Sequence, residues 1–256
     1  MSVREWTREA VRTGLGRIGL ELRRTGRGPR RTLAQVTCNA RAAGLEAAGI
    51  IDVGVARGTP GLYDAWPRAQ LLLVEPLLEW ERYLRDIAHG RGSFLVAAAG
   101  ASAGKAEIHV HRVPELSSLV GERDEGQTTA RTVDVVTLDA VAADLPGPLV
   151  VKVDAEGGEL AVLGGAGGTL ARTELVLLET SLFELIPAQP LLHDVVKFMA
   201  DRDFAVYDVY GGHLRPLDGA LAQLDIAFAP IGGVLRGDRR YATVEQADAL
   251  YRSWSR

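Results

Sequence analysis

What this chain has little of narrows it first. It has one cysteine, Cys38, so it holds no internal disulfide, no paired-cysteine or Cys/His zinc spacing and no set of thiolates for an iron–sulfur cluster. Radical chemistry at such a cluster is thereby excluded, and Cys38 reads as a small buried apolar residue. No apolar run reaches the length of a membrane span, and arginines interrupt the N-terminal stretch where a secretory core would lie. A cytoplasmic location is the default expectation. The formal charge is only −4, so there is no basic excess of the kind that binds nucleic acid.

That charge is unevenly placed. Residues 1–31 hold nine arginines against three glutamates, a local +6, which leaves −10 for the remainder. Val3, Trp6, Ala10, Val11, Leu15, Ile18 and Leu22 recur near helical spacing until Gly26, Gly28 and Pro29 break the pattern. The spacing predicts an amphipathic helix and a turn, then a second helix over Thr32–Ala47. Residues 1–47 are expected to form an N-terminal helical segment, a lid or a packing element. Residues 48–230 are expected to form the main domain, and 231–256 a C-terminal tail with a short helix.

In the main domain, strand-like runs at Ile50–Val53, Leu71–Glu75, Ser93–Ala98, Leu149–Asp154 and Leu175–Glu179 alternate with helical patterns at Leu62–Trp66, Leu77–Ala88 and Glu159–Leu170. Several strands are apolar on both faces, as in a parallel sheet covered by helices. Ala106–His111 and Thr132–Leu138 read as an inserted hairpin, with a polar loop over Pro114–Gly126. A helix at Leu191–Ala200, a strand at Phe204–Val209, a Gly211-Gly212 turn and a strand at Gln223–Ala229 predict an antiparallel pair at one sheet edge.

Two stretches carry chemistry. The first is Asp52-Val-Gly54-Val-Ala-Arg-Gly58, a strand running into a glycine turn, with Glu75-Pro76 at the tip of the next strand. Glycines let backbone approach a ligand, and an acid on the following strand tip can hold a ribose. A pyrophosphate fingerprint would begin with glycine; the acid at position 52 repels phosphate and suits a cationic amino group instead. S-adenosyl-L-methionine fits, with Asp52 near its amino-acid end and Glu75 on its ribose. Pro76 is expected to start a helix where no N–H is needed.

The second stretch is Lys152-Val-Asp154-Ala-Glu156-Gly157-Gly158-Glu159, at the carboxyl end of a strand where open α/β sheets bind ligands. Lys152 in such a strand needs an anionic partner, either Asp154 or Glu156. Glu159 reads as a helix cap, and Glu179 at the next strand tip faces the same crevice. Asp154 leads as the group that holds or deprotonates an acceptor, with Glu156 second. No compact metal motif is present, although Asp154 and Glu179 could together carry a divalent ion.

In order, Asp52-Val-Gly54…Gly58, Glu75-Pro76, Thr137-Leu138-Asp139, Lys152-Val-Asp154-Ala-Glu156-Gly157-x-Glu159 and Leu178-Glu179 resemble the FkbM family of S-adenosylmethionine-dependent methyltransferases, over about residues 48–210. The resemblance implies a class I, Rossmann-like fold: a seven-stranded, mostly parallel sheet with an antiparallel last strand and helices on both faces. It implies O-methylation of a sugar or secondary-metabolite hydroxyl, so the partner is a small-molecule or glycoside acceptor; homo-oligomerisation is left open. The implied cofactor contacts are Asp52, Gly54, Gly58, Glu75, Pro76 and, near the adenine, Ala98. The family usually has Ala-Asn after its first glycine, where this chain has Val55-Ala56. Many class I enzymes carry an acid near the third strand; here Ala97-Ala98-Ala99 stands there, leaving backbone groups or Ser117-Ser118 for the adenine. The alternatives are a non-catalytic binding module on the same fold and a nicotinamide-dependent oxidoreductase.

Overall fold

A computed structural model describes residues 32–121 and 126–254. The amphipathic helix expected before residue 32 lies outside them. Helix α1 (Leu33–Ala42) starts at Thr32, whose hydroxyl accepts a hydrogen bond from the Gln35 N–H. Then come β1 (Gly49–Val53), α2 (Pro60–Tyr63), β2 (Gln70–Glu75), a 3-10 turn (Leu78–Trp80), α3 (Glu81–Ala88) and β3 (Gly92–Val96). An insertion follows, with β4 (Ala98–Ala99), β5 (Gly104–His111), a 3-10 turn (Pro114–Leu116) and β6 (Thr128–Val136). The chain continues through α4 (Leu138–Val141), β7 (Leu149–Val153), α5 (Glu159–Gly164), α6 (Gly167–Leu170), β8 (Thr173–Ser181), α7 (Leu192–Ala200), β9 (Phe204–Leu214) and β10 (Leu221–Pro230). A final 3-10 turn (Val234–Arg236) precedes α8 (Val244–Trp254).

The main sheet has seven strands in the order β3-β2-β1-β7-β8-β10-β9, with β10 antiparallel to both of its neighbours and the other pairings parallel. The expected mostly parallel sheet with an antiparallel last strand is therefore present. Apolar residues on alternate faces build two cores. Ile51, Val53, Leu72, Val74, Val151, Val153, Val176 and Leu178 face one side, against α5 and α7. Ile50, Leu71, Leu73, Val150, Leu175 and Leu177 face the other, against α1 to α3.

Several local expectations are corrected. The hairpin is part of a separate three-stranded sheet, β4-β6-β5, because β3 ends at Val96 and Ala98-Ala99 pair with Val135-Val136 instead. The helix expected over Glu159–Leu170 breaks into α5 and α6 around Gly165 and Ala166, in a run whose four glycines weaken helical preference. Gly211 and Gly212 sit inside β9 at register shifts rather than in a turn. Cys38 is exposed, since α1 buries Val36, Thr37 and Ala40 instead. Val36, Ala40 and Leu45, from α1 and the turn after it, lie in the same core as β1 and β2.

Asp139 ties two of the short helices together. From α4 its carboxylate accepts hydrogen bonds from the N–H groups of Gly168 (3.0 Å) and Thr169 (2.7 Å) and from the Thr169 hydroxyl (2.9 Å). Burial opposes its ionisation, but these donors win and hold the carboxyl below its usual range. Asp139→Ala should cost about 1 kcal/mol in urea unfolding near neutral pH. A depressed acid stabilises above its unfolded pKa, so this margin should shrink as pH falls through the native pKa.

Candidate active site

The site is built along the carboxyl edge of the sheet. Alternation puts Asp52, Glu75, Lys152, Glu179 and Asp225 on the same face as the α1–α3 core, at or near strand tips. Register sets Asp52 opposite Lys152, and Asp225 opposite both Glu179 and Tyr210. The Lys152 ammonium lies 3.2 Å from Asp154 Oδ2 and 3.6 Å from Asp52 Oδ1. Burial alone would lower the lysine pKa; Asp154 and Asp52 outweigh it and hold the pKa above the usual value. Asp52 is fully buried, and its Oδ2 accepts a hydrogen bond from the Tyr63 hydroxyl. Burial and the adjoining Asp52 carboxylate raise the Tyr63 pKa, so the phenol remains a donor.

Above this row lies a cavity of about 410 Å³, within the size range of small-molecule sites. Gly54, Gly58, Glu75, Pro76, Ala98, Asp154 and Glu156, all expected at the site, line it. Asp52 does not. Its Oδ1 lies 3.6 Å from the Lys152 ammonium, so it serves as a counter-ion to that lysine. Pro76 lies two residues before the 3-10 turn rather than at its start.

The strand order grades the cavity chemically. On the β3 side it is apolar, with Leu77, Trp80, Ala98, Ile108 and Leu119. At β2 the carboxylate of Glu75 accepts hydrogen bonds from the N–H groups of Ala56 and Leu77, both at 3.0 Å. Its remaining lone pairs suit a vicinal diol. Burial raises the Glu75 pKa, and those two donors counter the shift. At β7 and β8 the wall is charged: Lys152, Asp154, Glu156 and Glu179. The last three carboxylates each offer an oxygen within 4.8 Å of the others, a spacing that could hold one cation. Burial, then Asp154 and Glu156, push Glu179 up to about 9. Burial, then Asp154, push Asp225 up to about 6. Glu159 points away from the cavity wall and caps its own turn through the N–H groups of Ala155 and Gly157, as expected.

This donor set fits S-adenosylmethionine. Acids outnumber cations in the described lining, and of its two cations Arg57 is 3.4 Å from Glu115 and Lys152 is held by Asp52 and Asp154. A pyrophosphate would meet carboxylates, whereas a phosphate-free cationic nucleoside meets counter-charge.

Gly54 and Ala56 explain why the glycine loop is shaped as it is. Gly54 has φ +74°, and a Cβ there would stand 1.7 Å from the Asp154 carbonyl oxygen, so β1 and β7 meet backbone to backbone. Ala56 has φ +45°, a left-handed conformation that asparagine tolerates better than alanine. The position where the resembling family carries asparagine is thus one where the backbone itself favours asparagine, and the polar contact here is the Ala56 N–H to Glu75.

The insertion carries what sequence reasoning missed. Pro114, Leu116, Ser117 and Leu119, read as part of a polar loop, form a cavity wall. Their apolar spacing was the available signal. The Ser118 hydroxyl donates to the Glu156 carbonyl (2.6 Å), so it braces Glu156, itself left-handed at φ +45°, and is not offered to adenine. Among the described residues no histidine lines the cavity.

Two measurements check this geometry. Ala56→Gly should raise stability by about 0.5 kcal/mol by urea unfolding, because glycine removes the left-handed strain at some entropic cost. An acid with a raised native pKa stabilises fully below its unfolded pKa and loses that stability as pH rises through the native value. The melting temperature of the wild type should therefore fall from pH 6 towards Glu179's value of about 9 more steeply than that of Glu179→Gln, which keeps an acceptor for Gln223.

Residues 52–206 match the Methyltransferase FkbM domain. No curated protein matches the sequence significantly. Similar solved structures include precorrin-6y C5,15-methyltransferase from Geobacter metallireducens (13% identity, 77% of this chain and 86% of that one, TM-score 0.40). Others are magnesium protoporphyrin IX methyltransferase from Synechocystis with bound SAM (10%, 77% and 77%, 0.42) and Aeropyrum pernix fibrillarin with S-adenosyl-L-methionine (15%, 80% and 84%, 0.40). Because the domain match spans more than half of the residues, the chain belongs to the FkbM methyltransferase family and is an S-adenosylmethionine-dependent methyltransferase.

Proposed function

We propose that the protein methylates a hydroxyl oxygen of a sugar or secondary-metabolite acceptor. The observation that carries this reading is the convergence of Asp154, Glu156 and Glu179 at one end of the cofactor cavity. Carboxylates are hydrogen-bond acceptors suited to hydroxyl groups, and among the described residues no histidine lines the cavity. When bound, S-adenosylmethionine supplies an electrophilic methyl group on sulfur.

The chain's own residues do the rest. Glu75 holds the ribose diol, and the apolar insertion wall packs on the base. Asp154, pinned by Lys152, holds the acceptor hydroxyl in line with the methyl carbon; positioning of this kind supplies about 7–11 kcal/mol of a barrier. The proton leaves to the neighbouring carboxylate of Glu156, a contribution of about 10²–10⁴-fold.

Calorimetry should give a saturable heat with S-adenosylmethionine or S-adenosylhomocysteine; no heat with either would remove the basis of the reading. A panel of glycoside and polyhydroxylated acceptors, read by release of S-adenosylhomocysteine, should then find turnover. With an active acceptor, Asp154→Asn should lower kcat by about 10²-fold or more while the cofactor KM changes little. Turnover only on amines or carbon nucleophiles would overturn O-methylation.

A further inference from the structure

The cavity ends at β8, but the row of residues along its floor runs on. One step past the last β1 pairs, Val53–Val74 and Val53–Val153, stand Gly54, Glu75 and Asp154. Glu179 follows Leu178, the partner of Val153. Antiparallel pairing then sets Asp225 of β10 opposite Glu179, and Tyr210 of β9 opposite Asp225. One row at one height therefore crosses six neighbouring strands: Glu75, Gly54, Asp154, Glu179, Asp225 and Tyr210. The first four line the cavity, and none of its described lining residues comes from β9 or β10. Adjacent strands lie about 4.8 Å apart, which puts Asp225 and Tyr210 about 5 and 10 Å beyond Glu179.

Local backbone makes room for this pair. A register shift between Gln223 and Asp225 puts one extra residue into β9 after Tyr210. Gly211, in that stretch, has φ +57°, and a Cβ there would stand 2.1 Å from Asp225 Oδ2. β9 thus gives up a side chain where the Asp225 carboxylate stands. That carboxylate makes no hydrogen bond among the described residues; burial, then Asp154, raise its pKa to about 6, against Lys152 and His213. Tyr210 is only 6% exposed. Its hydroxyl likewise has no hydrogen-bond partner among the described residues. Burial, then Asp225, Asp154 and Asp52, hold its pKa above the usual value, so the phenol stays protonated and its oxygen lies towards the acids. A phenol this buried is costly to leave unpaired.

We propose that Asp225 and Tyr210 form an acceptor subsite that reads a second hydroxyl of a polyhydroxylated acceptor, beside the hydroxyl held by Asp154. The inference rests on the O-methylation reading of this site. The second hydroxyl donates to the Asp225 carboxylate and accepts from the Tyr210 phenol, so one group satisfies both. An ammonium only donates and leaves the phenol proton unused. A hydrogen in place of the hydroxyl leaves both side chains unpaired. The pair selects the acceptor and takes no part in the transfer itself.

The test uses the full chain saturated with S-adenosylhomocysteine and a panel of methyl glycosides, each with its mono-deoxy analogues, titrated by saturation-transfer NMR. At least one glycoside should bind, and loss of one of its hydroxyls should weaken it about tenfold. Asp225→Asn and Tyr210→Phe, both close in size to the residues they replace, should each weaken that glycoside about tenfold. Neither should change the affinity of the deoxy analogue, or of S-adenosylhomocysteine by calorimetry. Variants that weaken the glycoside and its deoxy analogue alike would show a structural role and overturn the inference. Binding of no glycoside to the wild type would overturn it too, as would binding of amino sugars alone, lost in Asp225→Asn and kept in Tyr210→Phe. A methylated alcohol whose KM both variants leave unchanged would remove this inference and keep O-methylation. Turnover only on amines or carbon nucleophiles would remove both.

Discussion

The ion network of Asp52, Lys152 and Asp154 is the constraint on which the rest of this structure depends. Taking two or three charges out of water costs several kcal/mol per ion, and the attraction repays it only where geometry is good and remaining groups are hydrogen-bonded. Here β1 and β7 pair in parallel register so that Asp52 stands beside Lys152, and Tyr63 from α2 donates to the second oxygen of Asp52. A slip of one residue in either strand would turn one charge into the opposite apolar core and leave the other unpaired. The network therefore ties strand register, helix placement and the position of Asp154 together.

Placement of Asp154 then sets the cavity. Its N–H donates to the Val53 carbonyl at 3.0 Å, and its own carbonyl lies where a side chain on residue 54 would have to go. Glycine at 54 is what allows the first and fourth parallel strands to end side by side at the same height. The loop beyond it turns through a left-handed Ala56 to offer an N–H to Glu75. The cavity thus runs from an apolar wall built largely by the insertion, past the buried acid Glu75 and the glycine turn, to a carboxylate cluster. The chemistry follows the strand order because each tip contributes one step of it.

Parts of this were legible in the sequence and parts were not. The glycine turn, Glu75 and the Lys152–Asp154 pairing depend on local spacing, which survives in one dimension. Asp52 shares its sheet face with Glu75 and Lys152, but register sets it level with Leu73, two residues short of Glu75, where it meets Lys152 instead of lining the cavity. The wall formed by Pro114 to Leu119 was hidden because an insertion with a polar stretch looks like a surface loop until its apolar residues are seen against Trp80 and Ile108. Ser118 looked free for a ligand, but the Glu156 carbonyl, distant in sequence, takes its hydroxyl.

The sequence by itself determined the family, the alternating α/β order and the residues at the strand tips, because these rest on local periodicity and on short motifs whose chemistry is carried by neighbours in the chain. Only the tertiary structure decided which of the acids line the cavity, which one serves the buried lysine, and that Glu179 and Asp225 stand opposite one another. Those facts depend on cross-strand register and on burial. Both arise from contacts between residues tens of positions apart, and they set whether a carboxylate is a ligand, a counter-ion or a proton store.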